Sequence, residues 1–100
     1  MSIDEFKQLA DAKQSSLPAP LRALWEDAKG NWEGAHEWAQ KEDTSSGAWV
    51  HAYLHRKEGD PGNASYWYRR AGRPFPKSSL EAEWDNIAAE LLGPRATGPA

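Results

Sequence analysis

Residues 59–71, Gly59-Asp60-Pro61-Gly62-Asn63-Ala64-Ser65-Tyr66-Trp67-Tyr68-Arg69-Arg70-Ala71, decide the fold. Gly59-Asp60-Pro61 reads as a helix stop followed at once by a helix start. Glycine suits the residue after a helix, aspartate caps the next one, and proline fits its first turn. The same arrangement occurs 29 residues earlier: Gly30 matches Gly59, Asn31 matches Asp60, Ala35 matches Ala64 and Trp38 matches Trp67. A period of this order predicts stacked helical hairpins, each burying its apolar face on the next.

Outward from this pair the chain keeps a helical period. Ser2 with Glu5 fits a capping box and predicts a first helix over about residues 3–13. Pro18 and Pro20 break that pattern, and Leu21, Leu24, Trp25 and Ala28 then recur at i, i+3, i+4 and i+7, so a second helix ends at Gly30. Asn31 caps a third, expected to reach about Lys41. After the turn Asp43-Thr44-Ser45-Ser46-Gly47, a fourth is expected from Ala48 to Lys57, with an apolar stripe wide enough for a central position. The fifth starts at Pro61. Ser78 with Glu81 predicts a last capping box and helix, stopped by Gly93-Pro94. Residues 94–100 read as a disordered tail. Period-two alternation is not sustained anywhere, so the class is all-α with about six helices, in a single domain over residues 1–93.

Composition narrows the function. One hundred residues give a modest core, and six Trp, three Tyr and two Phe must fill it beside one Met and two Ile. Without cysteine, disulfides and thiolate metal sites are excluded, and a reducing compartment is expected. The first residues show no basic and apolar leader, and no apolar run approaches the roughly 20 residues that span a bilayer. The expectation is a cytoplasmic protein without a membrane partner.

Gly30-Asn31-Trp32-Glu33-Gly34-Ala35 with Trp38 resembles the second helix of a tetratricopeptide repeat, and Gly59-Asp60 with Ala64 and Tyr66-Trp67-Tyr68 resembles the same element. Tyr66-Trp67-Tyr68-Arg69-Arg70-Ala71 is also similar to the closing segment of Sel1-like repeats. The resemblance covers about residues 18–72. It implies a right-handed stack of hairpins, with terminal helices as caps and a concave face that binds peptides or partner proteins without catalysis.

The residues offer two candidate surfaces. Residues 56–77 carry six Lys and Arg against Glu58 and Asp60, a local charge of +4 that leaves −7 elsewhere out of the net −3. A groove lined by Trp49, Tyr53, Tyr66, Arg69, Arg70 and Arg73 is therefore the expected partner surface, for a protein or an acidic peptide ahead of nucleic acid. The bland alternative is that the arginines answer a helix dipole and the aromatics fill the core. A homodimer would cover the apolar ends of so short a stack.

The second candidate is His51-Ala52-Tyr53-Leu54-His55. Histidines at i and i+4 stand one turn apart on a helix, a spacing that holds one metal ion. Glu58 extends the stripe, and His36 is the only other histidine. Imidazole and carboxylate suit zinc or another divalent transition metal. Ala52 stands where a metalloprotease carries its glutamate, so no hydrolytic base comes with the pair. Structural hydrogen bonds are the alternative reading of both histidines. No cofactor is expected if the scaffold reading holds, and no catalytic residue stands out.

Overall fold

Six helices follow one another along the described residues, 2–9 and 17–93 of a computed structural model: α1 (Ile3–Lys7), α2 (Ala19–Ala28), α3 (Trp32–Ala39), α4 (Ser45–Lys57), α5 (Pro61–Ala71) and α6 (Leu80–Leu92). No strand occurs among them, so the chain is all-α as the periodicity predicts. The most extensive packing joins α2 to α3 and α4 to α5, which makes two helical hairpins, with α1 and α6 closing the core from outside.

The 29-residue echo is one junction geometry used twice. At the end of α2 the Gly30 amide donates to the Asp27 carbonyl and the Asn31 amide to Glu26. At the end of α4 the Gly59 amide donates to Arg56 and the Asp60 amide to His55. Both glycines sit at positive φ, +86° and +89°, where a side chain is strained. Each following residue then caps the next helix: Asn31 accepts from the Gly34 amide at 3.0 Å, and Asp60 from Asn63 at 3.2 Å. Three polar contacts thus reverse the chain within two residues.

Helix α4 is the centre of the molecule. Its residues from Gly47 to His55 are all buried, so it is covered on every side. Phe6, Leu24, Val50, Leu54, Tyr68 and Ile87 are the large side chains fully withdrawn from water around it. Each such burial stabilises by roughly 1.5–3 kcal/mol. Gly47 lets α4 start tight against α3: a Cβ there would lie 2.6 Å from the Glu42 carbonyl oxygen and 3.0 Å from that of Ala39. Three buried tryptophans and the half-buried Trp32 satisfy their indole N–H. Trp25 donates to the Leu9 carbonyl, Trp32 to Leu54, Trp84 to Leu24 and Trp49 to the Glu83 carboxylate.

Several expected boundaries move. The first helix ends at Lys7 with Gln8 as its C-cap rather than running on from about residue 3 to 13, and just beyond it the Leu9 carbonyl accepts from the Trp25 indole. Residues 10–13 of that expected helix, and the expected tail 94–100, lie outside the described residues. Helix α4 starts at Ser45 rather than Ala48, since Thr44 accepts from the Gly47 amide and caps it one turn earlier. The last cap is Ser79, which accepts from the Ala82 amide; Ser78 instead gives its carbonyl to Arg56.

Candidate metal centre

Two hairpins each bring histidine to the seam between them. Asn31 fixes the start of α3, and one turn past Trp32 the helix presents His36. Helix α4 presents His51 and His55 one turn apart, on a face that also touches α5. The Nε2 atoms of His36 and His51 are 3.0 Å apart. One ligand nitrogen of each of His36, His51 and His55 lies within 4.8 Å of the other two. The rings of His51 and His55 stack at 4.8 Å, and His36 stands edge-on to both at 4.6 and 5.2 Å.

Aromatic walls hold these rings. Trp67 of α5 stacks on His51 at 3.9 Å and 15°, and Trp32 stacks on His36 at 5.1 Å and 11°. Trp32 also meets His55 edge-on at 6.0 Å. His51 and His55 are 4% and 6% exposed, whereas His36 is half-buried and marks the solvent side. Below them, the Glu58 Oε2 lies 2.5 Å from His55 Nδ1.

Electrostatics favours the neutral form of His51 and His36. Burial pushes the His51 imidazole down to about 4, with His36 and His55 adding to the shift. Burial, then His55, also lowers His36, opposed by Glu58 and Glu37. Neutral imidazole is the form that coordinates a metal. Between two neutral rings the 3.0 Å contact is a single hydrogen bond, one Nε2–H donating to the other's lone pair.

The distances suit an ion. With a metal about 2.05 Å from each nitrogen, the observed 3.0 Å separation corresponds to an angle of about 94° at the metal, and a tetrahedral angle needs about 3.3 Å. His36 and His51 therefore need to part by a few tenths of an ångström. His55 closes in from one turn away. Three imidazoles without sulfur suit Zn²⁺, Ni²⁺ or Cu²⁺.

The other sequence-predicted residues go elsewhere. Trp49 is buried, donates to Glu83 and carries the Arg73 guanidinium 3.4 Å from its ring centre; Arg73 also pairs with Glu90. Tyr53 is buried and donates to Asp27 at 3.2 Å. Tyr66, Arg69 and Arg70 are exposed on α5, with Arg70 reaching the Tyr66 hydroxyl and, at 2.8 Å, Asp43. Tyr53 lines a cleft of about 400 Å³ with Asp27, Lys57 and Trp84, and Trp49 and Arg73 line a different one of about 290 Å³. Of the six, Trp49 and Arg73 thus line one cleft together, and Tyr53 lines another.

Two buried carboxylates escaped sequence reasoning. Glu83, 2% exposed, accepts from Arg56 at 2.8 Å, from Tyr68 at 2.6 Å and from Trp49 at 3.3 Å. Asp27 accepts from Lys57 at 2.8 Å and from Tyr53. Burial first, and the adjacent carboxylate second, pushes the ionisation of both tyrosines up. Their only mark in sequence is a place among apolar neighbours on a helix, where a carboxylate is far more often exposed than buried. No helix among the described residues is long and apolar enough to cross a membrane. Comparison with family models, with curated proteins and with solved structures finds no match to this chain.

Proposed function

We propose that this chain is a divalent transition-metal-binding helical domain, in which His36, His51 and His55 hold one ion at the seam of its two hairpins. The observation that carries this reading is the convergence of all three histidines of the chain, from two hairpins, within 4.8 Å. Chance placement of three histidines rarely puts them together and walled by two tryptophans. Because His36 belongs to α3 and the other two to α4, the ion would act as a clasp between the hairpins as well as a bound ligand. The test is a thermal melt with Zn²⁺, Ni²⁺ or a chelator. At a hundredfold excess over Kd a single site adds about 2.7 kcal/mol, a shift of the order of 10 °C or more for a domain of this size. The shift should vanish in His36→Gln, whose half-buried position leaves the fold intact; an equal shift in that variant would sink the reading.

A second reading, in keeping with the tetratricopeptide resemblance, is a protein-interaction module. Tyr66 and Phe75 are the large apolar side chains left most exposed, at 45% and 40%, and Tyr66 sits beside Arg69 and Arg70 on the outer face of α5. Its partner would be an acidic peptide, and unchanged capture of such a peptide by the Arg69→Ala, Arg70→Ala double variant would remove it.

A further inference from the structure

The geometry points to Glu58 as the positioning residue of this centre: its carboxylate fixes the His55 ring with Nδ1–H toward Glu58, leaving Nε2 as the nitrogen offered to a metal. The purpose of that orientation rests on the metal reading above; the orientation itself does not.

Three observations carry it. The first is distance. Glu58 Oε2 and His55 Nδ1 are 2.5 Å apart, closer than any ion can sit between, since a metal bonded to both would hold them about 3 Å apart. Glu58 is therefore a hydrogen-bond acceptor for His55 rather than a fellow ligand. The second is the rigidity of its backbone. Glu58 caps α4, with its amide donating to Leu54, and the Gly59 turn behind it returns the Asp60 amide to the His55 carbonyl. Histidine and carboxylate are thus three residues apart on a closed turn, not on a free loop. The third is the burial gradient. The His55 side chain is 8% exposed and that of Glu58 is 37% exposed, so the carboxylate approaches the ring from the solvent side and the rest of the ring lies inside.

An imidazole has two nitrogens, and a ring free to choose would present either. A carboxylate on the outer nitrogen settles both the tautomer and the ring orientation. His36 and His51 already face each other through Nε2. With Glu58 on Nδ1, Nε2 is the His55 nitrogen left for a metal, the same atom through which His36 and His51 meet. Asp60 is also close to His55 and Glu58, and its Oδ1 accepts from the Asn63 amide as the α5 cap, whereas Glu58 is the carboxylate at hydrogen-bond distance from His55.

Long-range ¹H–¹⁵N correlation spectra of the metal-free protein read the His55 tautomer directly, and zinc titration of the same samples reads affinity. Wild type is expected to show His55 protonated at Nδ1 and bare at Nε2. Glu58→Ala is expected to mix the two tautomers and to weaken zinc binding 10- to 100-fold. Glu58→Gln, which keeps a neutral acceptor, is expected between the two. A merely structural Glu58 would lower the melting temperature of Glu58→Ala while leaving both tautomer and zinc Kd unchanged, and that result overturns the proposal. So does an Nε2–H tautomer of His55 in wild type. Should wild type take up no zinc, the metal reading fails, and the tautomers of wild type and Glu58→Ala still decide whether Glu58 orients His55.

Discussion

Lowering the pH should loosen this fold through His51 before it touches the carboxylates, and the sign follows from the site. In the folded chain the imidazole protonates at about 4, because it is buried against Trp67 and beside two other histidines; in the unfolded chain it protonates near 6.5. Between those values the unfolded state binds a proton that the folded state refuses, so stability is complete above about pH 6.5 and falls as pH falls toward 4. The 1.5 units between 6.5 and 5 amount to roughly 2 kcal/mol, and the full interval to roughly 3 kcal/mol. His36, also lowered, adds in the same direction. With a urea m value of about 1.5 kcal/mol/M, the midpoint should drop by a little over 1 M between pH 7.5 and pH 5. Far-UV circular dichroism is the appropriate probe, since Trp67 fluorescence reports the histidine itself. His51→Phe keeps a ring on Trp67 and removes the titration, so its midpoint should fall much less over the same range. Equal falls in wild type and His51→Phe would refute the reasoning.

The remaining predictions concern the frame that holds the site. Glu83→Ala leaves the Arg56 guanidinium, Tyr68 and Trp49 without their acceptor, and should cost about 3–5 kcal/mol in urea unfolding. Replacing Arg56 and Glu83 together by Met should recover only the part due to the unpaired guanidinium, since Tyr68 and Trp49 still lack their acceptor; a loss below 1 kcal/mol in the single variant would mean that the network contributes little. Gly47→Ala gains helix propensity of about 1 kcal/mol but meets the Glu42 and Ala39 carbonyls, so a net lowering of the melting temperature is expected, against an overpacking cost of about 1–3 kcal/mol. A raised melting temperature in that variant would show that α3 and α4 can part without cost.

Much of the frame was legible because it is local. Gly30-Asn31 and Gly59-Asp60 state both hairpin junctions in two residues each, since a positive-φ glycine followed by a capping side chain leaves the backbone few alternatives. The all-α class followed from the same punctuation and from helical periodicity. Boundaries accompanied by contacts with distant groups were not legible: the Leu9 carbonyl just past α1 meets the Trp25 indole, and the shift from Ser78 to Ser79 accompanies the reach of Arg56 from α4. The candidate site divides in the same way. His51 and His55 are one turn apart on any helix, so their pairing was visible in sequence. The joining of His36 depends on how closely α3 packs on α4, which Gly47 permits and no spacing reveals. Trp49 and Tyr53 read as groove aromatics because their partners, Glu83 and Asp27, lie 34 and 26 residues away. Exposure cannot be read from an aromatic alone when the acceptor that buries it comes from another helix.

The central claim is that three histidines from two hairpins hold one ion. A crystal grown with Zn²⁺, measured above and below the zinc absorption edge, tests it at the level of atoms. The account predicts one anomalous peak per chain, about 2.0–2.1 Å from a nitrogen of each of His36, His51 and His55, with Glu58 hydrogen-bonded to His55 outside the coordination shell. A well-ordered cluster with the His36–His51 Nε2 contact still at 3.0 Å and no peak between the rings would contradict it.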